Sequence, residues 1–207
     1  MIRIDFSVVD QMVDRFLELG GVYFDTAYTY LGGASEKGIG RALTSRYPRS
    51  AFRLASKLPG WKLTSYDQCR EIFREQLERC GVDYFDVYML HWLNAANYAV
   101  CEKLDQFRFL RELKAEGKAK AIGFSYHDGP QLLDEILLRF GHRFGFPTAF
   151  VFLNTFACCD IAKHTADITQ RRIVLIIPAL DNDSGHAYSP LARSRSSCKA
   201  FSNLDVS

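Results

Sequence analysis

No stretch of this sequence is long and apolar enough to cross a membrane. The longest aliphatic run, IVLII at 173–177, is far short of a span and reads as a buried strand. Charge of one sign is lacking too. Lysine and arginine total 26 against 24 acids, a net of +2, which gives no case for nucleic acid or an anionic membrane as partner. The one short basic run, ARSRSSCK near the C-terminus, reads as a solvated tail. No CxxC occurs. Cys69, Cys80, Cys101, Cys158, Cys159 and Cys198 are scattered through a chain of 207 residues that needs no disulfide stapling. The opening MIRIDFSVVDQMVDRF carries acids and no cleavage site of the signal-peptide kind, so a reduced, cytoplasmic setting is expected. No GxGxxG follows a strand, and P-loop, GxSxG and HExxH motifs are all absent. CCDIAKH gathers Cys158, Cys159, Asp160 and His164, but adjacent cysteines serve tetrahedral zinc poorly and there is no second half-site, so no metal is expected.

What is present is ordinary globular composition, 48% hydrophobic and 24% charged, enough for a sizeable core. SVVDQMVDRFLELGG reads as a helix capped by Ser7 with Asp10 three residues on, and stopped by Gly20 and Gly21. The strand VYFD follows. TSYDQCREIFREQLERCG then VDYFDVYMLHW repeats the pattern, as does FRFLRELKAEGKAKAIGFS. Strand centres are expected near residues 23, 54, 87, 122, 151 and 175, roughly 24 to 35 residues apart, the repeat of strand, crossover helix, strand units in a parallel sheet. Periodicity alone admits either an open doubly wound sheet or part of a barrel. GIGRAL contains GxG but lies within a helical stretch starting near Ser35, where close helix packing explains it.

In parallel α/β folds the C-terminal strand ends gather the active site. Here those ends offer Asp25, Lys57, His91, Ser125 and Asn154. A tyrosine hydroxyl titrates near pH ~10, too high for easy proton donation at neutrality. A lysine ammonium beside it would favour the phenolate, and a carboxylate beside the lysine would keep that lysine charged and oriented. A nearby histidine could donate a hydrogen bond to a substrate oxygen. Such a set suits protonation of an oxyanion as hydride reaches a carbonyl carbon. FDTAYTYLGG, residues 24–33, supplies the acid and two candidate tyrosines.

The segments GGVYFDTAYTYLGGASEKGIGRAL, ASKLPG, LERCGVDYFDVYMLHWL and GKAKAIGFSYH together resemble the aldo-keto reductase superfamily over about residues 5 to 145. The resemblance implies a (β/α)8 TIM barrel, here an incomplete one of about six parallel strands, and a nicotinamide cofactor, NADP (NADPH). It places the family's catalytic tetrad on Asp25, Tyr30, Lys57 and His91. Tyr30 would donate the proton, Lys57 paired with Asp25 would ease its release, and His91 would orient and polarise a small carbonyl substrate. Tyr28 falls outside the pattern and is expected to line the mouth or pack. Trp92 is expected at the wall of the substrate site. Cofactor contacts are expected from Asp25, from Ser125, and from Asn154 where the family usually has glutamine. Tyr126 stands where many members have asparagine.

By the same resemblance, residues 1–180 form a partial barrel domain lacking the first and last barrel strands, with an irregular tail at 181–207. The change in character near residue 147 also fits a truncated or frameshifted product. Open sheet edges imply self-association. Two other functions remain in play: a catalytically inactive relative that only binds or packs, and an unrelated barrel enzyme such as an aldolase using Lys57 as a Schiff base.

Overall fold

The structure is a computed structural model that describes the backbone of residues 4–142, 149–153 and 173–176, with side chains through residue 140. Helix α1 (Phe6–Glu18) leads into β1 (Tyr23–Asp25). A short turn and α2 (Ala34–Ile39) precede β2 (Arg53–Leu58). Then come α3 (Asp67–Cys80), β3 (Phe85–Leu93), α4 (Ala95–Lys103), α5 (Gln106–Ala115), β4 (Ala119–Tyr126), α6 (Pro130–Leu137), β5 (Ala149–Leu153) and β6 (Ile173–Ile176). All six expected strands are present and pair in parallel.

The strand order is β1-β2-β3-β4-β5-β6, with no reversal. A doubly wound sheet must reverse its order, because its second half winds back to place helices on the other face. An order that only advances keeps successive crossovers on one face and curls the sheet, as in a (β/α)8 barrel. The ambiguity left by periodicity is therefore resolved toward the barrel type.

The two faces of the sheet are chemically distinct. One packs on the helices: Leu54, Leu58, Tyr88, Leu90, Ile122 and Phe124 join the main core with Phe73, Phe109 and Leu113 of α3 and α5. Phe73 sits at the centre of this layer, edge-on to Tyr88 at 4.8 Å and to Phe85 at 5.8 Å between ring centroids. The other face carries a small cluster of Ala55, Val87 and Met89, with Tyr23 and Ala121 beside it. Side chains alternate along a strand. Asp25, Lys57, His91 and Ser125 share the parity of this second cluster, so all four belong to the inner face.

Helix boundaries follow backbone chemistry. Gly81 ends α3 in the left-handed region at φ 64°, the expected glycine stop. At the start of α1 the expectation is corrected. The cap is Asp5, not Ser7: the Asp5 carboxylate accepts the Ser7 backbone N–H at 3.0 Å and its hydroxyl at 2.7 Å. Asp10 lies too far into the helix to take part. Close packing does explain the second glycine of GIGRAL, since a Cβ on Gly40 would lie 2.4 Å from the Arg79 carbonyl oxygen of α3, whereas one on Gly38 would make only an ordinary contact with Ile4 at 3.6 Å. Helix α4 was not expected. It buries little beyond Tyr98 and Cys101, so it carries no clear apolar stripe, and its one signal is Asn94, whose side chain caps Asn97 N–H at 2.9 Å.

Cys69, Cys80 and Cys101 are buried, unbridged thiols. No helix among the described residues is long and apolar enough to cross a membrane. Asn154, the CCDIAKH segment and the expected tail at 181–207 lie outside the described residues.

Candidate active site

Lys57 is the hub. Its position near the end of β2 and its inward parity bury the side chain to 1% exposure. An ammonium has three protons, and three acceptors meet it. Nζ donates to Asp25 Oδ2 at 2.5 Å, to the Thr26 carbonyl at 2.9 Å and to the Tyr30 hydroxyl at 3.2 Å. Strand pairing makes this possible: β1 lies beside β2 with Asp25 opposite Ala55, so the chain leaving β1 passes over Lys57. Burial pushes the Asp25 carboxyl above the usual carboxylate range, and the Lys57 ammonium opposes that shift by attraction and by hydrogen bonding.

Tyr30 reaches this position through a short helical turn. Leu31 and Gly32 adopt left-handed conformations, at φ 53° and 64°, and Gly33 follows at φ 90°. This glycine-rich bend carries the backbone away while the Tyr30 ring stays over the strand ends, 4.7 Å from Lys57 Nζ and 39% exposed. The phenol is thus joined to a buried cation on one side and open on the other. Tyr28 points elsewhere. Its hydroxyl donates to Glu75 of α3 at 2.8 Å, and the Arg79 guanidinium lies 4.2 Å from its ring centroid. That is a packing role.

His91 comes from the inner face of β3. Its ring meets Tyr30 edge-on at 5.4 Å and Trp61 at 5.3 Å between centroids. Burial first, then the Lys57 charge and His127, push its pKa down to about 3, so the imidazole is neutral at physiological pH. Nδ1 is buried and has no hydrogen-bond partner among the described residues. A neutral imidazole keeps one N–H to donate, and here no described protein group dictates which nitrogen carries it.

Trp92 follows in a bulge of β3, at φ 59° and 47% exposed. It meets Trp61 edge-on at 5.5 Å and His127 at 6.3 Å. Aromatic rings therefore flank His91 on the open side. Trp61 was not singled out in the sequence. The turn that carries it, Gly60–Lys62, is tied to α5, where Gln106 Nε2 donates to the Gly60 carbonyl at 3.0 Å. Its only sequence signal is its place just past ASKLPG.

Ser125, near the end of β4, is 2% exposed. Its hydroxyl oxygen accepts the Trp92 backbone N–H at 2.6 Å, taking the place of a ladder bond lost at the bulge. The hydroxyl proton is left to donate elsewhere. Among the described residues, no group of three His, Cys, Asp or Glu side chains could hold a metal ion.

The structure brings together Asp25, Tyr30, Lys57 and His91 at the ends of three adjacent strands. A buried ammonium donates a hydrogen bond to the phenol oxygen, and a neutral imidazole meets the ring of that phenol edge-on. The set can deliver a proton to an oxygen atom resting between Tyr30 and His91.

Known proteins are similar to this chain. A methylglyoxal reductase of Escherichia coli O157:H7 is 31% identical over 127 residues, 59% of this chain and 43% of that protein. An aldo-keto reductase of Mycolicibacterium vanbaalenii is 33% identical over 132 residues, 63% of this chain and 45% of that protein. The chain thus spans under half the length of the curated relatives it matches. Among solved structures, an aldo-keto reductase from a Medee basin deep-sea metagenome library superposes with TM-score 0.60 at 27% identity, over 81% of this chain and 58% of that one. The holo form of an aldo-keto reductase from Bacillus halodurans superposes with TM-score 0.65 at 22% identity, over 89% and 65%. The family model described as "Aldo/keto reductase family" matches residues 2–165, and the chain belongs to that family.

Proposed function

We propose that this chain reduces the carbonyl group of a small aldehyde or ketone to an alcohol, with Tyr30 as proton donor and NADPH as the source of hydride. The observation that carries this reading is the hydrogen-bonded line from Asp25 through the Lys57 ammonium to the Tyr30 hydroxyl, with neutral His91 edge-on to the same phenol. Membership of the family supports a nicotinamide cofactor. A family member from Bombyx mori was solved in complex with NADP, at 19% identity to this chain.

The cofactor's contribution, when bound, is a hydride for the carbonyl carbon. The protein's part is the oxygen. As the carbon–oxygen π bond breaks, its electron pair moves to oxygen, and Tyr30 transfers its hydroxyl proton there. The phenolate left behind faces the Lys57 ammonium, which Asp25 and the Thr26 carbonyl hold in place. His91 donates a hydrogen bond to the same oxygen and so polarises the carbonyl without giving up its proton. Tyr30, being open on one side, regains a proton from water. Ser125 fits the cofactor's carboxamide in one respect: its oxygen is already engaged and its proton is free to donate. Asn154 is proposed as a further cofactor contact. The buried, triply bonded ammonium argues against Lys57 as a Schiff-base nucleophile, which needs a neutral amine.

In this reading residues 1–180 are the catalytic unit. Self-association belongs to it too. Among the described residues β1 pairs on one side only, and α1 with its C-cap Leu19 exposes Val8, Met12, Phe16 and Leu19. A single monomer in sedimentation at high concentration would remove that part.

The test is a titration of the purified chain with NADPH, followed by nicotinamide fluorescence, then turnover. Relatives from Escherichia coli and Salmonella typhimurium are named as methylglyoxal reductases, so methylglyoxal is the first aldehyde to try. Tyr30→Phe should lose ~10²–10⁴-fold in kcat while keeping cofactor affinity. Absence of NADPH binding at millimolar concentration, or unchanged turnover in Tyr30→Phe, overturns the proposal.

A further inference from the structure

Behind Lys57, on the helix side of β2, lies a polar cluster that the proton-transfer scheme does not use. Glu36, Ser56, Gln76 and Tyr88 are all at 0% exposure. Gln76 Nε2 of α3 donates to Glu36 Oε1 at 2.6 Å, lies 2.8 Å from Ser56 Oγ, and lies 3.2 Å from the carbonyl oxygen of Lys57 itself. Its Oε1 accepts the Tyr88 hydroxyl at 2.5 Å. Ser56 donates to Glu36 Oε1 at 2.7 Å, and Arg79 reaches Glu36 Oε2 at 3.3 Å. Burying so many polar groups is costly unless they are matched, and a matched network is rigid and particular in geometry.

Two of its connections lead toward the ammonium. Gln76 holds the Lys57 main chain. Ser35, next to Glu36, has its Oγ 2.8 Å from Thr26 Oγ1, and the Thr26 carbonyl accepts from Lys57 Nζ. The start of α2 therefore grips both β1 and β2 on either side of the lysine. Lysine's stem is long and flexible, so its head group is placed only as well as its main chain and its acceptors are placed.

We propose that Gln76, anchored by Glu36, is a positioning residue that holds the Lys57 main chain from the outer face of the sheet and thereby sets the distance from the ammonium to the Tyr30 hydroxyl. This rests on Tyr30 as the proton donor. The measurement is chosen to be independent of turnover: the ultraviolet absorbance titration of the Tyr30 phenol, isolated by subtracting the same curve for Tyr30→Phe. Gln76→Met keeps the length of the side chain and removes its hydrogen bonds. The expected result is a midpoint about one pH unit higher, that is, ~10-fold less phenolate at a given pH, because the ammonium moves away. Phe73→Leu, in the same helix, should lower Tm and leave the midpoint in place. If Gln76→Met does not fold, Tyr88→Phe, which frees Gln76 Oε1, is measured in the same way and should shift the midpoint in the same direction by a smaller step. An unmoved midpoint in the folded variant overturns the inference, whatever happens to Tm. Failure of carbonyl reduction would show instead as a wild type without turnover, with the Tyr30 midpoint still responding to Gln76→Met.

Discussion

The ends of β2 and β3 hold their functional side chains in opposite ways. Lys57 is fixed by charge and hydrogen bonds: three acceptors meet its three protons, and its main chain is gripped from behind. His91 is fixed by packing among Tyr30, Trp61 and its own strand, and its buried Nδ1 is unmatched among the described residues. The contrast suits their proposed tasks. A group that must stay charged and still is given every partner. A group that must offer a hydrogen bond to a passing substrate is kept neutral, with no described residue bonded to its buried nitrogen.

The largest effect should come from breaking the charged end. Lys57→Met should lower kcat by ~10³-fold or more, within the range for losing a group that assists proton transfer, and should also lower Tm, because the Asp25 carboxylate loses its cation. Adding Asp25→Asn should recover Tm without recovering turnover. If turnover returned with Tm, Lys57 would be no more than a structural ion-pair partner.

Next is the neutral end. The folded pKa of His91, about 3, lies below its ordinary 6.5, so the unfolded chain binds the extra proton between those values. Its contribution is therefore full above pH 6.5 and lost as pH falls toward 3. His91→Asn should flatten the fall in Tm over that window, seen by thermal scans at successive pH values, and should raise KM for the carbonyl. An unchanged pH profile of Tm would mean that His91 takes up its proton as readily in the folded chain as in the unfolded one.

The smallest effect should be at β4. Ser125→Ala removes the acceptor for Trp92 N–H and should cost about 1–2 kcal/mol in urea unfolding. Cofactor affinity should fall with it. A loss of stability with unchanged NADPH affinity would leave Ser125 a support for the bulge alone.

Much of this was legible in the chain. The six strands lay where apolar runs between glycine stops placed them, because glycine's freedom at positive φ ends helices by local chemistry. Asp25, Lys57, His91 and Ser125 are inward by strand parity, which is again local. The misses share one cause. Trp61 faces His91 across a 30-residue gap in sequence, and Gln76 reaches Glu36 across 40 and Lys57 across 19. Such contacts depend on how helices lie on the sheet, which no local pattern reports. The cap of α1 was missed by two residues, since both Asp5 and Ser7 are good caps and only the backbone path separates them.

The sequence by itself determined the alternation of helices and strands and the residue types at the strand ends, since both follow from short-range sterics and the period-two alternation of a strand. Tertiary structure decided the rest: an advancing strand order that makes the sheet barrel-like, the place of Trp61 against His91, and the second use of Ser125. Those outcomes depend on which strand lies beside which and which helix covers it. They are set by burial of the shared core and by the need to satisfy every buried charge, conditions that exist only once distant parts of the chain meet.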